Sequence, residues 1–397
     1  MVLLYLCKKT DFLIVEYNIS RLYYLLDLYK MSIDELLVSI SDGLKKPISK
    51  EEILKEEIKL SYLKKIDSIF NKGINFYLDP KNPEKSKESS IFFRKGSFNS
   101  ELNIGAKKAV NHFEEFKISL SAIAKLSDIN LSRKTPVFSI RKNAKEVANQ
   151  VRIALYPSFA TDKKEFLKLL ISKFADSNIL VLEFVETWNK KEKANIDGFF
   201  LSPNAIILKR QQSALRREIF TLVHELGHYL LNEEEIESLD YNDLLNNNLS
   251  LIERWCNDFA FYFLAGKHSE LIDKIEFVNS SNDYYLDLIT EISDQTHLSR
   301  IAIYTRLLLN KKISHQDYNY IKQDFDDKYK NREAEIKKQR ELDKLNGIPQ
   351  RGAAPKPIIS PLLTSTIQTA YYEGIISEYE VCKKLNIKPE KFKNYIQ

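Results

Sequence analysis

The chain has 397 residues, which is too long for one ordinary hydrophobic core and predicts two or three domains. Apolar residues make up 44% and charged residues 29%, the balance of a soluble globular protein. A net charge of +5 is weak support for nucleic-acid binding, because a lysine-rich composition alone can produce it.

Cysteine usage and the apolar segments bear on where the protein works. Three cysteines lie far apart, which argues against a disulfide framework and favours a reducing compartment. The N-terminal "MVLLYLC" is a poor signal peptide, because it is short and runs directly into two lysines. No later segment approaches membrane-spanning length. We therefore expect a cytoplasmic protein without membrane contact.

The N-terminal part is predicted to be helical. In residues 17–80, apolar residues recur at three-to-four spacing in four short segments, the third of them at 49–58. Ser32 and Ser49 each precede a glutamate by three residues, as in a capping box. Short helices joined by tight turns resemble a helix-turn-helix module. The polar segment 77–90 contains two prolines and predicts a linker.

In the middle of the chain, the spacing of apolar residues changes from a helical pattern to a strand pattern. Two amphipathic helices are predicted at 144–155 and 163–175, and a strand at 178–184. Two apolar runs around Ser202, Pro203 and Asn204 predict a hairpin. Helices follow to the end of the chain, interrupted by an acidic stretch at 232–250 and a Gly/Pro/Ala linker at 347–357. Helices, a small sheet and more helices predict the α+β class.

This order predicts four segments, which are a helix-turn-helix-like module at 1–90, a central domain at 91–290, a helical module with a charged helix at 291–345, and a linker with a small helical unit at 346–397.

The central domain contains the motif "HELGH". His224 and His228 are four residues apart, so on a helix their imidazoles share one face and could bind one ion. Zn²⁺ accepts neutral imidazole and leaves a position for water in catalytic sites. Glu225 is rotated away from the ligands, where a general base must be. A buried helix with merely hydrogen-bonded histidines is the alternative interpretation.

A second helix, at 250–266, offers the missing ligand. Glu253 is the natural third ligand, and Asn257 lies one turn later, where it could hydrogen-bond a ligand. Either residue could instead be an ordinary solvated side chain. Gly227 costs helix stability, which suggests the close approach of another backbone, either the 253 helix or the sheet.

These segments together resemble the ImmA/IrrE metallopeptidases. The resemblance lies in an Asp-Gly-Phe strand at 197–199, the run Phe-Thr-Leu-x-His-Glu-Leu-Gly-His at 220–228, and Glu-x-x-x-Asn-x-Phe-Ala at 253–260. Val223 and Cys256 replace alanines of the family pattern. The N-terminal and C-terminal helical segments look like family members fused to an Xre-type helix-turn-helix.

The resemblance implies a zincin-like core with Zn²⁺, or Mn²⁺ or another divalent metal, on His224, His228 and Glu253. It implies Glu225 as catalytic base, and Gly198 and Phe199 are candidates for substrate binding along the hairpin strand. The implied substrate is a partner helix-turn-helix repressor, in mobile-element, stress, toxin–antitoxin or phage-defence regulation. The oxyanion-stabilising group is open, with Tyr262 and His268 as candidates.

Charge argues against DNA binding by the N-terminal module. The segment matching a recognition helix, 49–58, contains four glutamates and two lysines, so phosphates would repel it. We favour a role in protein contacts, with a homodimer as one form. The acidic stretch at 232–250 is either a solvated loop or a rim that attracts a basic substrate. The rival hypotheses are a regulator or toxin component acting by binding alone, and a sequence-specific DNA-binding protein.

Overall fold

The computed structural model describes residues 13–83, 102–186, 193–210, 215–235, 250–348 and 356–396. The chain divides into two compact units, Met1–Glu115 and Phe116–Gln397. The fold is α+β, as predicted, with many helices and two small sheets. In the described ranges, no helix combines the length and the apolar character needed to cross a lipid bilayer.

The strands are β1 (Ile14–Glu16), β2 (Glu57–Lys59), β3 (Leu180–Val185), β4 (Gly198–Leu201) and β5 (Ala205–Arg210). The α-helices are α1 (Ile19–Leu28), α2 (Ile33–Ser41), α3 (Lys50–Ile53), α4 (Leu60–Phe70), α5 (Ile74–Leu78), α6 (Ile104–Leu126), α7 (Ala144–Leu155), α8 (Lys163–Asp176), α9 (Leu215–Leu231), α10 (Leu251–Ala265), α11 (Ser269–Lys274), α12 (Leu286–Thr296), α13 (Arg300–Leu309), α14 (His315–Leu345), α15 (Pro361–Tyr372) and α16 (Glu378–Leu385).

The first unit packs short helices around its own core, which includes Leu22, Leu36 and Leu63. The predicted capping box at Ser32 is present, and Ser32 caps the N-terminus of α2. The helix predicted over 49–58 is wrong beyond Ile53, because β2 follows and pairs antiparallel with β1. Ile58 is buried between two exposed neighbours, so this short stretch follows the period of a strand.

The second unit is built on a three-stranded sheet in the order β3-β5-β4. The predicted hairpin is confirmed, since β4 pairs antiparallel with β5. β3 pairs parallel with β5, which makes β5 the central strand and β4 an edge strand of this sheet. Residues 205–208 are fully buried in the core of the unit. The helices predicted at 144–155 and 163–175 are confirmed as α7 and α8.

A buried ionic network joins the sheet to the C-terminal part of this unit. Arg210 at the end of β5 donates to the carboxylates of Glu183, at 2.7 and 2.9 Å, and Glu218, at 2.8 Å. The Ile358 amide donates to Glu183 at 2.6 Å. Burial raises the pKa of Glu183 to about 7, against the opposing effect of Arg210. Two carboxylates thus share one guanidinium beneath the segment that leads into α15.

The predicted domain boundaries stay predictions. The boundary at 90 lies outside the described residues, as do residues 84–90 of the first linker and 349–355 of the second. Position 290 falls within α12. The helical pair and charged helix predicted within 291–345 appear as α13 and one continuous helix, α14, which is exposed along most of its length.

Candidate metal and catalytic site

Helix α9 carries the two histidines at its buried centre. His224 and His228 are 2% and 1% exposed, and the apolar side chains of Leu222, Leu226 and Leu230 are fully buried around the same helix. The helix therefore cannot rotate to bring the histidines to solvent without exposing its core face.

Two glycines allow α9 to approach its neighbours closely. A Cβ on Gly227 would lie 3.1–3.2 Å from atoms of Cys256, so α9 and α10 cross in near backbone contact there. This confirms the close approach expected of Gly227 and identifies the 253 helix as the partner. On the other side, a Cβ on Gly198 would lie 2.8 Å from Thr221 Cγ2 and 3.2 Å from Glu225 Cγ. Strand β4 and α10 are thereby held against opposite sides of α9.

Ser250 sets the position of the third candidate ligand. Its side chain accepts from the Glu253 amide at 3.1 Å and caps α10, which places Glu253 in the first turn. The Ser250 hydroxyl also donates to Glu235 at 3.1 Å. Glu253 is 1% exposed, so its carboxylate is withdrawn from water and must be satisfied within the site.

The three side chains converge on one point. His224 Nε2 and His228 Nε2 are 3.1 Å apart, and they lie 3.1 and 3.0 Å from the two carboxylate oxygens of Glu253. Ligands held tetrahedrally at the usual Zn²⁺ distances would be about 3.3 Å apart. The site thus has the composition and nearly the spacing of a three-ligand metal centre, and the residues fit a divalent cation.

The charges of the triad favour a cation. Burial alone would raise the pKa of Glu253, but His224 and His228 hold it well below its usual range. Burial works to lower the pKa of His228, but Cys256 and Glu253 together raise it well above its usual range. An ionised carboxylate beside two imidazole nitrogens stabilises positive charge at this point, whether a proton or a metal supplies it.

Asn257 contacts the candidate ligand His224 on the side of the imidazole that faces away from the triad. Its Oδ1 lies 3.1 Å from His224 Nδ1, one turn along α10 from Glu253. A proton on Nδ1 would be donated to this oxygen, which leaves Nε2 free to face the triad.

Glu225 lies beside the triad but outside it. Its side chain is 6% exposed, and its Oε2 has no hydrogen-bond partner among the described residues. Burial raises the pKa of Glu225 to about 7, with His228 and His224 opposing this shift. A carboxyl group with such a pKa can both take up and release a proton near neutral pH.

A small cavity of about 10 Å³ adjoins the triad, with room for about one water molecule. Its lining residues are Asp197, Gly198, His224, Glu225, His228, Glu235 and Glu253. Asp197 and Glu235 were not predicted as site residues. Asp197 was visible as part of the Asp-Gly-Phe strand, and Glu235 as part of the acidic stretch, of which residues 236–249 lie outside the described part of the chain.

The other predicted residues are placed as follows. Gly198 reaches the cavity, but the Phe199 side chain is fully buried, so only its backbone could meet a substrate. Tyr262 accepts a hydrogen bond from Arg306 at 2.8 Å and does not line the cavity. His268 lies in a short 3₁₀ turn after α10. The positions of Tyr262 and His268 therefore give no support to either residue as the oxyanion-stabilising group.

One comparison with known proteins shows a similarity over part of the chain. A peptidase-family model described as IrrE N-terminal-like domain matches residues 178–307, from just before β3 into the last turn of α13. Comparison with curated proteins and with solved structures gave no match. The matched range contains the triad and Glu225, and the similarity of this range to a peptidase family supports a metallopeptidase-type enzyme. The family model does not extend to the N-terminal unit, and it leaves the predicted helix-turn-helix untested.

Proposed function

We propose that this protein is a metal-dependent endopeptidase with a zincin-like core. The observation that carries the proposal is the convergence of His224, His228 and Glu253 at 3.0–3.1 Å, with Glu225 beside them. The natural metal for two imidazoles and one carboxylate is Zn²⁺, and Mn²⁺ or another divalent ion is the alternative.

The residues around the cavity have different proposed roles in catalysis. His224, His228 and Glu253 would hold the metal, which when bound supplies an activated water and polarises the scissile carbonyl. Glu225, whose Oε2 has no hydrogen-bond partner in the described part of the chain, takes up a proton from the attacking water and returns it to the leaving amine. Asn257 keeps the imidazole of His224 in one orientation. The edge strand β4 offers backbone groups that could pair with an extended peptide, starting at Gly198.

The substrate is proposed to be narrow, a partner helix-turn-helix repressor. The cavity at the triad has room for about one water molecule, so recognition of a substrate would depend on contacts outside it. The separate N-terminal unit, whose helix α3 carries Glu51 and Glu52, suits protein contacts better than phosphate contacts, with dimerisation included. The setting would be cytoplasmic regulation of a mobile element, a stress response, a toxin–antitoxin pair or phage defence.

The decisive experiment replaces Glu225 with glutamine in the full-length chain. This nearly isosteric change removes the base and retains the ligands, so the metal content should be unchanged and peptide hydrolysis abolished. Glu146→Gln, at an exposed position on α7, is the matched control and should cleave as wild type does. Equal activity of wild type and Glu225→Gln would refute the assignment.

Substrate range is tested with the same preparations. The full-length protein is incubated with casein and with a purified candidate repressor, and the products are identified by mass spectrometry. We expect a single cut in the repressor and intact casein. Efficient casein digestion would contradict a narrow substrate range and leave the peptidase assignment in place.

A further inference from the structure

A second cavity lies between α9, α10 and α13, and we call it the three-helix cavity. Its volume is about 150 Å³. Leu309 and the side chain of Arg217, which both belong to its lining, are about half exposed, so the cavity reaches the protein surface. Its lining shares no residue with the lining of the small cavity at the triad. The three-helix cavity is therefore a separate place for a small molecule.

Part of this lining consists of hydrogen-bond donors that have no acceptor. The Nε atoms of Arg216 and Arg306 and the Nδ2 atom of Asn257 are buried, and none has a hydrogen-bond partner within the described ranges. The same is true of the hydroxyl of Thr221, a residue that is 1% exposed. An arginine Nε and an amide nitrogen can only donate, and a hydroxyl can donate as well as accept. Because a buried donor is destabilising until an acceptor reaches it, these side chains favour an occupant that brings acceptor atoms.

The two arginines keep these donors although each is already ion-paired. Arg306 donates to Asp258 through Nη1 and, at 2.8 Å, to the Tyr262 hydroxyl through Nη2. Arg216 donates to Asp294 through Nη2 at 2.5 Å. Both guanidinium groups therefore have Nε left for one more acceptor.

Arg210 of the same chain shows that one guanidinium can bind two carboxylates in this way. It donates through Nη1 to Glu183 and through Nε to Glu218. Hydrogen bonds between a guanidinium and a carboxylate are stronger than those to a neutral acceptor. A carboxylate is therefore the acceptor that best suits the Nε atoms of Arg216 and Arg306.

The apolar part of the lining sets the size of the occupant. Phe220, Phe261 and Ala302 supply apolar wall. An apolar cavity of about 150 Å³ is large enough to hold a benzene ring. We propose that the three-helix cavity binds a small organic carboxylate whose apolar body is about as large as a benzene ring. This inference goes beyond the proposed function and does not depend on it.

Binding is measured with three probes that share one ring and differ in the polar group. Benzoate, benzamide and benzylamine are titrated into the full-length chain and followed by ligand-observed NMR. We expect benzoate to bind at least about 10-fold more tightly than benzamide, because only benzoate offers charged acceptors, and benzylamine to bind most weakly. The proposal is overturned if benzoate does not bind, as expected of a cavity filled by water alone, or if benzoate and benzamide bind equally.

A carboxylate can also bind a metal ion, so the titrations are repeated at two metal loadings. One sample is freed of metal by a chelator, and the other is loaded with Zn²⁺. We expect the same affinity for benzoate in both samples, because the two cavities have separate linings. Binding that disappears with the metal would place benzoate at the triad and overturn the proposal. Since no probe is cleaved, the result is independent of whether the chain hydrolyses peptides.

Two substitutions test the donors. Arg216→Lys keeps the charge, removes Nε and should lower the preference for benzoate over benzamide by about 3-fold to 10-fold, whereas merely structural damage would weaken both probes equally. Thr221→Val keeps the shape and should weaken benzoate binding without loss of thermal stability, because the hydroxyl has no partner to lose among the described residues. Arg332→Lys and Thr161→Val, both at exposed positions, are the matched controls and should bind the probes as wild type does. An unchanged preference in Arg216→Lys and unchanged affinity in Thr221→Val would overturn the assignment of these donors.

A third substitution tests the location of the ligand. Ala302→Phe fills the three-helix cavity and should abolish the binding of benzoate, with the fold checked by thermal unfolding. Ala334→Phe, at an exposed position on α14, is the matched control and should bind benzoate as wild type does. Benzoate binding that survives in a folded Ala302→Phe variant would show that the ligand lies elsewhere and would overturn the proposal.

Discussion

The shared guanidinium of Arg210 leads to a prediction about pH and stability. Glu183 is fully buried, and its pKa is raised from 4.5 to about 7, mainly by burial. In the unfolded chain this group ionises at its ordinary pKa, so folding is favoured while it is protonated and disfavoured once it is ionised. Stability from this group is fully present below pH 4.5 and is lost as the pH rises through about 7.

The magnitude follows from linkage. Between pH 5 and pH 8, these two pKa values give a loss of about 2.5 kcal/mol in the free energy of unfolding. Replacing Glu183 with glutamine removes this ionisation, while Glu218 remains to pair with Arg210. The wild type should therefore lose about 2.5 kcal/mol more than Glu183→Gln over the same pH range.

The assay is urea unfolding followed by tryptophan fluorescence at several pH values. Trp255 is buried in the second unit, so its fluorescence reports the unfolding of that unit. Glu165→Gln, at a half-exposed position in the first turn of α8, is the matched control and should follow the wild-type pH profile. If Glu183→Gln shows the same pH dependence as wild type, burial does not govern this carboxyl group and the reasoning fails.

Three further predictions concern the metal, the helix crossing and the N-terminal unit. After loading with Zn²⁺ and removal of the excess, wild type should retain about one ion per chain and His224→Ala much less, as measured by elemental analysis. If wild type binds no metal, the assignment of the metal site is wrong. Gly227→Ala should lower the free energy of unfolding by about 1–3 kcal/mol, because the new methyl group presses on Cys256 at 3.1–3.2 Å, whereas a gain in stability would show that the helices can separate freely. In gel-shift titrations, DNA binding by the full-length chain should be weak, independent of sequence and steeply reduced by salt, and tight operator binding at physiological salt would contradict the protein-contact role.

The candidate site could be predicted from the sequence because its residues occur in two short segments, each with a recognisable helical spacing. The histidines are one helical turn apart, and Glu253 and Asn257 are one turn apart on a second helix, so each pair needs only a helix to be aligned. Gly227 added a long-range hint, since a glycine at a helix centre indicates a close neighbour. The crossing of α9 and α10 at Cys256 is that neighbour.

Other features of the fold depend on contacts between residues that are far apart in sequence, which a local sequence pattern does not predict. The short apolar run that predicts β3 does not reveal that this strand pairs parallel with β5 rather than with β4. At Ile58, two exposed neighbours and a partner strand decide between helix and strand, over a stretch too short for periodicity to separate them. The cavity between α9, α10 and α13 has Phe220, Ala302 and Leu309 in its lining, a proximity across more than 80 residues that only the tertiary fold creates.

The hydrogen bond from Ile358 to Glu183 also has a consequence for synthesis of the chain. The two residues are 175 positions apart, so at about 5–20 residues per second the donor leaves the ribosome roughly 10–35 seconds after the acceptor. During that interval the nascent sheet has an ionic network without its final amide donor, and α8 lacks the packing of α15. The contacts that Ile358 makes with Glu183 and that α15 makes with α8 can therefore form only after translation has passed α15.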